Sequence, residues 1–502
     1  MRRLLIIVVL SLLTPAVLYA QKVIEYESGL GTRDPKNGDI WILYRGVHAT
    51  HEGMVLESDS AHYNTRENNF TAYSQVAIQL TDTTFIYGDK LYYDGNTRML
   101  DIWADTVVLI DGNTQLLANH LTYDRNQETA YYTLWGYGSS DDRSLFSRQG
   151  QYNSNLKQFY IYHDVCLTDS NIRLYTDTLL YNTNTSVAHF ESPTHIYSDS
   201  AVIYSEQGDY NTETRYAVSY KASHVVSDGH TIDSDTLFYD EVLEYGKAFS
   251  RVVLFDSANN LTCSGRYGET SQRYRFSYVT DSAHVLMVDN DDSLFLHADT
   301  IYVTNDSSNQ LATVRANYHV KLFRRDAQAM ADSAFYTAAD SSLMLYRSPV
   351  VWYEHYQCSA DTIHLLHDSS GISHVSLLGG CFAIQQVDRE KYNQLKGLRG
   401  EVYFQDGEPT YSDIIGNAQM VFYLTEEDSL GHLSLVGVNA GVGNIIRIYF
   451  DTSQAPVRVV AYEKPDMQFY PVGQLPDDLK RLPGFQWISL RRPRQPEDVF
   501  IW

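Results

Sequence analysis

The residues with a capacity for chemistry are few and poorly assembled. His224 and His230 stand close together in "HVVSDGH", and His355 and His364 flank the start of an apolar run. Neither pair has a third ligand at the spacing a zinc site needs, so surface or cross-strand histidines are expected. "DNDDS" at 289–293 has the acidity of a calcium loop without its glycine and distant glutamate, and reads as a solvated turn. Cys166, Cys263, Cys358 and Cys381 are widely spaced with no CxxC pair, which favours small buried hydrophobes. "GGCF" at 379–382 places Cys381 behind two glycines, with no histidine placed to activate it. There is no GxSxG, no Walker loop and no dinucleotide fingerprint. The expectation is a protein with no catalytic residue, no metal and no cofactor, and therefore not an enzyme.

One acidic feature does repeat. Asp59, Asp89, Asp177, Asp235, Asp299, Asp332 and Asp361 each open a variant of one phrase: "SDSAHYN", "GDKLYYD", "TDTLLYN", "SDTLFYD", "ADTIYVT", "ADSAFYT" and "ADTIHLL". Catalytic carboxylates do not recur at a fixed period, so these aspartates are read as structural. The last position of the phrase falls at Tyr63, Tyr93, Tyr123, Tyr152, Tyr181, Tyr210, Tyr239 and Tyr267, in steps of 28 to 30 residues. It continues less regularly through Val303, Tyr336, Leu365 and Tyr403. A recurrence of this length is the signature of a repeat architecture.

The elements that must carry the phrase are strands. A second run follows each phrase about ten residues later, such as "NNFTAYSQVAIQL" or "NQLATVRANYHVKLF". These runs are rich in Val, Ile, Tyr, Phe and Thr and bounded by Asn, Asp, Gly and Ser. The links "DGNTRML" and "NTNTSVA" are turn-forming and leave no room for a crossover helix. Before each Asp the apolar positions lie one and three residues upstream; after it they lie two and four downstream, as with Leu296, Ala298, Ile301 and Val303 around Asp299. Side chains on a strand alternate with period two, so this change of phase predicts a bulge or bend at the Asp, which would accept hydrogen bonds from backbone amides there. The fold class expected is all-β: two facing antiparallel sheets built from two-strand units of about 29 residues. On this reading Leu91, Tyr93, Leu121, Tyr123, Leu179, Tyr181, Leu237, Tyr239, Ile301 and Val303 line the interior wall.

The phrases "LHADTIYVTNDSSNQLATVRANYHVKLF" (296–323) and "IYGDKLYYDGNTRMLDIWADTVVL" (86–109) carry a resemblance to the repeat of the OstA/LptA family of lipopolysaccharide-transport proteins. The chain resembles its long OstA-like members over roughly residues 24–450. The resemblance implies an elongated β-jellyroll, or β-taco, whose apolar groove carries lipid A acyl chains through the periplasm towards the outer membrane. It makes the ten wall residues lipid-lining candidates. It also implies lipopolysaccharide, other transport proteins at the inner and outer membranes, and end-to-end copies of the chain as partners.

The termini and the charge bound the rest. "MRRLLIIVVLSLLTPAVLYAQ" reads as a cleaved signal peptide over residues 1–20, which directs the chain to the periplasm, with outer-membrane association. The sequence holds 38 Lys+Arg against 62 Asp+Glu, a formal charge of −24; without Arg2 and Arg3 this becomes −24 − 2 = −26. Such acidity repels phosphate backbones and argues against nucleic acid. The repeats divide at a loosened step into 21–279 and 280–450, and 463–502 is a Pro-rich tail lying on the domain or on another protein. The function expected is lipopolysaccharide binding and transport without catalysis. The alternatives are a passive exported β-scaffold with a solid core, or a glycan-binding protein.

Overall fold

A computed structural model describes residues 23–289, 292–368, 371–427, 433–451 and 456–502. The expected signal peptide and the centre of the acidic turn at 290–291 lie outside these residues. The described chain is almost entirely antiparallel strand, with three short 3-10 turns near the carboxyl end. Among the described residues no helix is long and apolar enough to cross a membrane.

Local sequence explains the turns. The residue after each marker tyrosine from Tyr63 to Tyr239 is Asn or Asp, and its side chain accepts a backbone N–H two or three residues on, as in Asn64 from Arg66 (3.1 Å), Asp94 from Asn96 (2.9 Å), Asp124 from Asn126 (2.8 Å) and Asn182 from Asn184 (3.0 Å). Four residues after each of these, Asn68, Arg98, Glu128 and Ser186 take left-handed φ values of 52° to 63°. An Asx turn closed by one left-handed residue reverses the chain within four positions, so each strand pairs with the next.

The strands are long and bent in the middle. Met54–Asn64 and Asn69–Gln79 slip register between Glu57 and Ser60; Asp292–Asn305 and Leu311–Phe323 slip between His297 and Thr300. The buried side changes phase at the same point, from Met54, Leu56 and Ser58 to Ala61 and Tyr63. Each bent ladder therefore has two arms, one before the phrase Asp and one after it. These arms are the two facing layers.

The residues form two compact units. The first comprises the described chain up to Asp199 together with Asp209–Glu213; the second comprises Ser200–Gly208 together with Thr214–Trp502. The division falls near residue 200, whereas around residue 280 the strand Phe276–Asp289 runs uninterrupted. In the first unit Leu43, Leu56, Ile86, Leu100, Leu109 and Leu116 are buried between the arms. In the second, the arms approach so closely that a Cβ on Gly246 would meet Ile232 Cδ1 at 2.6 Å.

Candidate functional site

All seven phrase aspartates stand at the bend and are exposed or half-exposed. Their carboxylates do not collect backbone amides there, as the sequence reading expected. Five of them meet side chains on the neighbouring strand: Asp59 accepts from Ser74 Oγ (2.5 Å), Asp299 from His319 (2.9 Å) and Asp332 from Arg347 (3.2 Å), while Asp235 binds Arg251 and Asp177 pairs with His163 (3.5 Å). Each of those partners is itself a left-handed residue. The ladder's extra residues lie on the strand beside the Asp strand, and their backbone is carried by that strand's own left-handed pairs, such as Ser250 and Arg251. Asp361 uses its backbone, donating N–H to the Gly379 carbonyl at 2.8 Å. Asp89 flanks the slip between Tyr87 and Lys90.

The wall residues Leu91, Leu121, Leu179, Leu237 and Ile301 are buried. Tyr93, Tyr123, Tyr181, Tyr239 and Val303 are buried too, but the tyrosines reach the mouth between the arms. There several are fastened to polar groups. In the first unit the Tyr93 hydroxyl lies 2.5 Å from His51 Nδ1 and accepts from Arg125 (2.8 Å), and Arg125 also donates to the Glu52 carbonyl (3.0 Å). Asp111, on the first arm, accepts from Tyr152 (2.7 Å) and Lys157 (2.5 Å), both on the second. In the second unit Gln272 donates to the Ser227 carbonyl (2.5 Å) and Asn305 to Asp256 (2.8 Å). Tyr239 and Val303 border a void of only about 30 Å³. These stretches are packed solid and latched by polar pairs.

Further along the second unit the interior opens. A cavity of about 140 Å³, as large as one that holds a benzene ring, lies between the arms over residues 327–456. Its wall includes Val351, Leu365, Val375, Leu377, Leu395 and Ile414. At its mouth apolar pairs stand where polar latches stand elsewhere: Tyr353 faces Phe404 (centroids 6.4 Å, 88°) and Tyr356 faces Phe450 (6.5 Å, 88°). Such edge-on ring contacts have no charge to desolvate when they part. The strand Tyr356–Ser359 turns Tyr356 and Cys358 into this cavity. Burial pushes the Cys358 thiol up to about 12, so it is protonated at neutral pH. Among the ten wall residues read from the sequence, none lines this cavity.

The opposite face of the same strands holds the carboxyl-terminal tail. Its first part, Asp466–Pro471, is an edge strand against Gly437–Val442, with Pro471 at the last position. The rest crosses the outside of one arm, tied by glutamines that the sequence reading did not single out. Gln394 accepts from Leu482 N (2.9 Å) and donates to the Lys480 carbonyl (2.9 Å); Gln357 donates to the Gln486 carbonyl (2.7 Å) and accepts from Ile488 N (2.9 Å). Each carboxamide thus stands in for a neighbouring strand. Leu475 and Leu482 join Phe382, Tyr392, Val421 and Tyr423 in a separate apolar cluster. Phe500 packs on His297 (5.0 Å), and Lys321 donates to the Ile501 carbonyl beneath Trp502. The signal available in the sequence was a buried-phase glutamine inside an apolar strand.

The four cysteines are unpaired; Cys263 and Cys381 are buried, Cys166 and Cys358 half-buried. His224 bonds Asp233 at 2.6 Å. Among the described residues no three His, Cys, Asp or Glu side chains gather in a metal-binding group.

Comparison with known proteins adds the following. A family model described as OstA-like protein matches residues 21–174 and 160–235. No curated protein matches the sequence. Among solved structures, LptH, the LptA homologous periplasmic component of the conserved lipopolysaccharide transport device from Pseudomonas aeruginosa, aligns at 18% identity over 29% of this chain and 95% of its own, with a TM-score of 0.22, too low to carry an argument. The phrase, turns and bent ladders repeat through the matched stretch, and over residues 21–235, less than half of its length, the chain is similar to the OstA-like family.

Proposed function

We propose that this protein binds the acyl chains of lipopolysaccharide between its arms and hands them on towards the outer membrane, as an exported periplasmic protein without catalytic activity. The observation that carries the reading is the apolar cavity over residues 327–456, with its ring-lined mouth. Hydrocarbon gains about 0.8 kcal/mol per buried methylene, so such a space holds lipid with no catalytic group. The OstA-like match to residues 21–235 supports the same assignment from a different part of the chain. The cavity lined by Val375, Leu377 and Leu395 is the entry point for lipid that this reading favours, since the wall at Leu91, Leu121, Leu179 and Leu237 is closed off from solvent.

A second reading, a passive scaffold, is favoured for the latched stretches by their solid interior, where Leu91, Leu121 and Leu179 have no exposed surface. Photo-crosslinking amino acids at Val375, at Leu395 and at Leu91 separate the two in cells. Lipopolysaccharide captured from Val375 and Leu395, and weakly or not at all from Leu91, is expected. Capture from none of the three positions, in cells whose lipopolysaccharide reaches the surface normally, refutes lipid binding and leaves the scaffold.

A further inference from the structure

The outside of the first unit carries a row of apolar side chains that the packing of the fold does not require. Read across paired strands in register, it runs Tyr87, Tyr137, Phe146 and Tyr175, with Val108 and Leu117 between the first two rings and Cys166 between the last two. The residues beside them along the strands, such as Ile86, Leu116, Leu145 and Leu174, are buried between the arms, so the row faces outward. Its four rings remain 39–44% exposed. The adjoining row on the side away from the bend, Phe85, Ile110, Gln115, Ser139, Ser144 and Thr168, is uncharged as well. Charges stand at the edges, as with Arg173 beyond Thr168 and the Arg148–Asp164 pair on the bend side. A contiguous apolar face of this length, rimmed by polar residues, marks an interaction site.

We infer that this face binds an uncharged, extended glycan strand laid across the β-strands. The inference is independent of the lipid-binding reading, which concerns the space between the arms. Three features choose the occupant. The rings are spaced by whole strands: Phe146 lies one strand from Tyr137, Tyr175 two from Phe146, and Tyr137 three from Tyr87, at about 4.8 Å per step. A face that repeats at this interval fits a linear polymer whose monomer has about the same length, as the pyranose units of an extended β-linked glycan do. The rings also stand beside the side-chain hydroxyls and carboxamide of Ser139, Ser144 and Gln115. The C–H face of a pyranose meets the electron-rich face of an aromatic ring, and its hydroxyls find donors and acceptors next to it. Finally, the chain carries a formal charge of −24 while this face carries none. It offers a polyanion no counter-charge, and a neutral ligand covers it without desolvating an ion.

The test titrates the mature full-length chain with cellohexaose and with chitohexaose, uncharged β-linked hexamers of glucose and of N-acetylglucosamine, by isothermal titration calorimetry. At least one hexamer should bind, and more tightly than its own disaccharide, because a longer strand reaches more rings. Tyr137→Ala and Phe146→Ala should each weaken that binding about fivefold to tenfold, the worth of one aromatic contact. Tyr160→Ala, 42% exposed on the outside of the other arm, should leave it unchanged. All three side chains are exposed, so an unaltered unfolding midpoint shows each variant to be folded. The inference is overturned if neither hexamer binds, if both ring variants bind as the wild type does, or if Tyr160→Ala weakens binding as much as they do. It is overturned equally if the face pairs two copies of the chain, read as a dimer in analytical ultracentrifugation that Phe146→Ala dissociates. None of these results bears on lipid capture at Val375 and Leu395, which the crosslinking experiment decides.

Discussion

Asp111 carries the clearest test of the latches. Its side chain is 1% exposed, and it accepts from Tyr152, from Lys157 and, at 3.3 Å, from Thr84. Asp111→Ala leaves the Tyr152 hydroxyl and one ammonium without their acceptor. Removing one member of a buried ion pair costs about 3–5 kcal/mol. The Lys157 side chain, however, is 31% exposed and turns to water once released, which lowers the expected loss to about 2–4 kcal/mol. Tyr152→Phe, which deletes a single charge-assisted bond, should cost about 1.5–3 kcal/mol. The double variant should fall short of the sum by about 1–2 kcal/mol, because the two changes remove the same contact. Urea unfolding followed by circular dichroism measures the three losses. Hydrogen exchange in Met99–Asp111 and Gln149–Asn153 shows whether the loss is local to the latch. There is also a pH signature. Burial and the bond to Asp111 hold the Tyr152 phenol far above its usual value near 10. In the unfolded chain this phenol loses its proton first, so the latch's contribution is complete below pH ~10 and falls as the pH rises beyond it. Additive losses in the double variant, or a loss under about 0.5 kcal/mol for Asp111→Ala, would refute the latch.

Three further outcomes are expected. Asp299→Ala removes an exposed corner contact to His319 and should change unfolding stability by no more than about 0.5 kcal/mol; a loss several times larger would mean that the corner depends on the carboxylate. His297 is held below its usual value by burial, beneath Phe500 and with the Ala283 carbonyl as its partner. A depressed histidine contributes stability above pH ~6.5 that is lost as the pH falls, so acid should loosen the tail, read as faster proteolysis around Phe500 at pH 5 than at pH 7.5, and His297→Phe should abolish the difference. Iodoacetamide at pH 8 should modify half-buried Cys166 well before Cys263, which burial raises to about 12 and whose thiolate fraction is then roughly one in ten thousand; mass spectrometry of the native protein gives the order.

Much of the fold was legible in the sequence because it is written in local terms. The alternation of apolar residues, its change of phase at the phrase Asp, and the Asn or Asp after each marker tyrosine from Tyr63 to Tyr239 all act within a few residues, so bent strands and tight turns follow from neighbours alone. Equivalent positions of the repeat are equivalently placed, and Leu91, Leu121 and Leu179 in the first unit and Leu237 and Ile301 in the second are each buried. What the arms do to each other could not be read this way. Asp111 meets Lys157 46 residues on, and Arg125 meets Glu52 73 residues back, pairings with no local trace. A tyrosine at the phrase end therefore reads as wall, although its hydroxyl can reach across the mouth as a fastening, as Tyr93 and Tyr152 do. The cavity is decided at the same level: it opens where rings rather than charges face each other at the mouth and medium-sized side chains such as Val375 and Leu395 oppose one another. Alternation fixes which side of a strand is inside. The separation of two arms depends on summed side-chain volume and on contacts distant in the chain, and only the tertiary structure sets those.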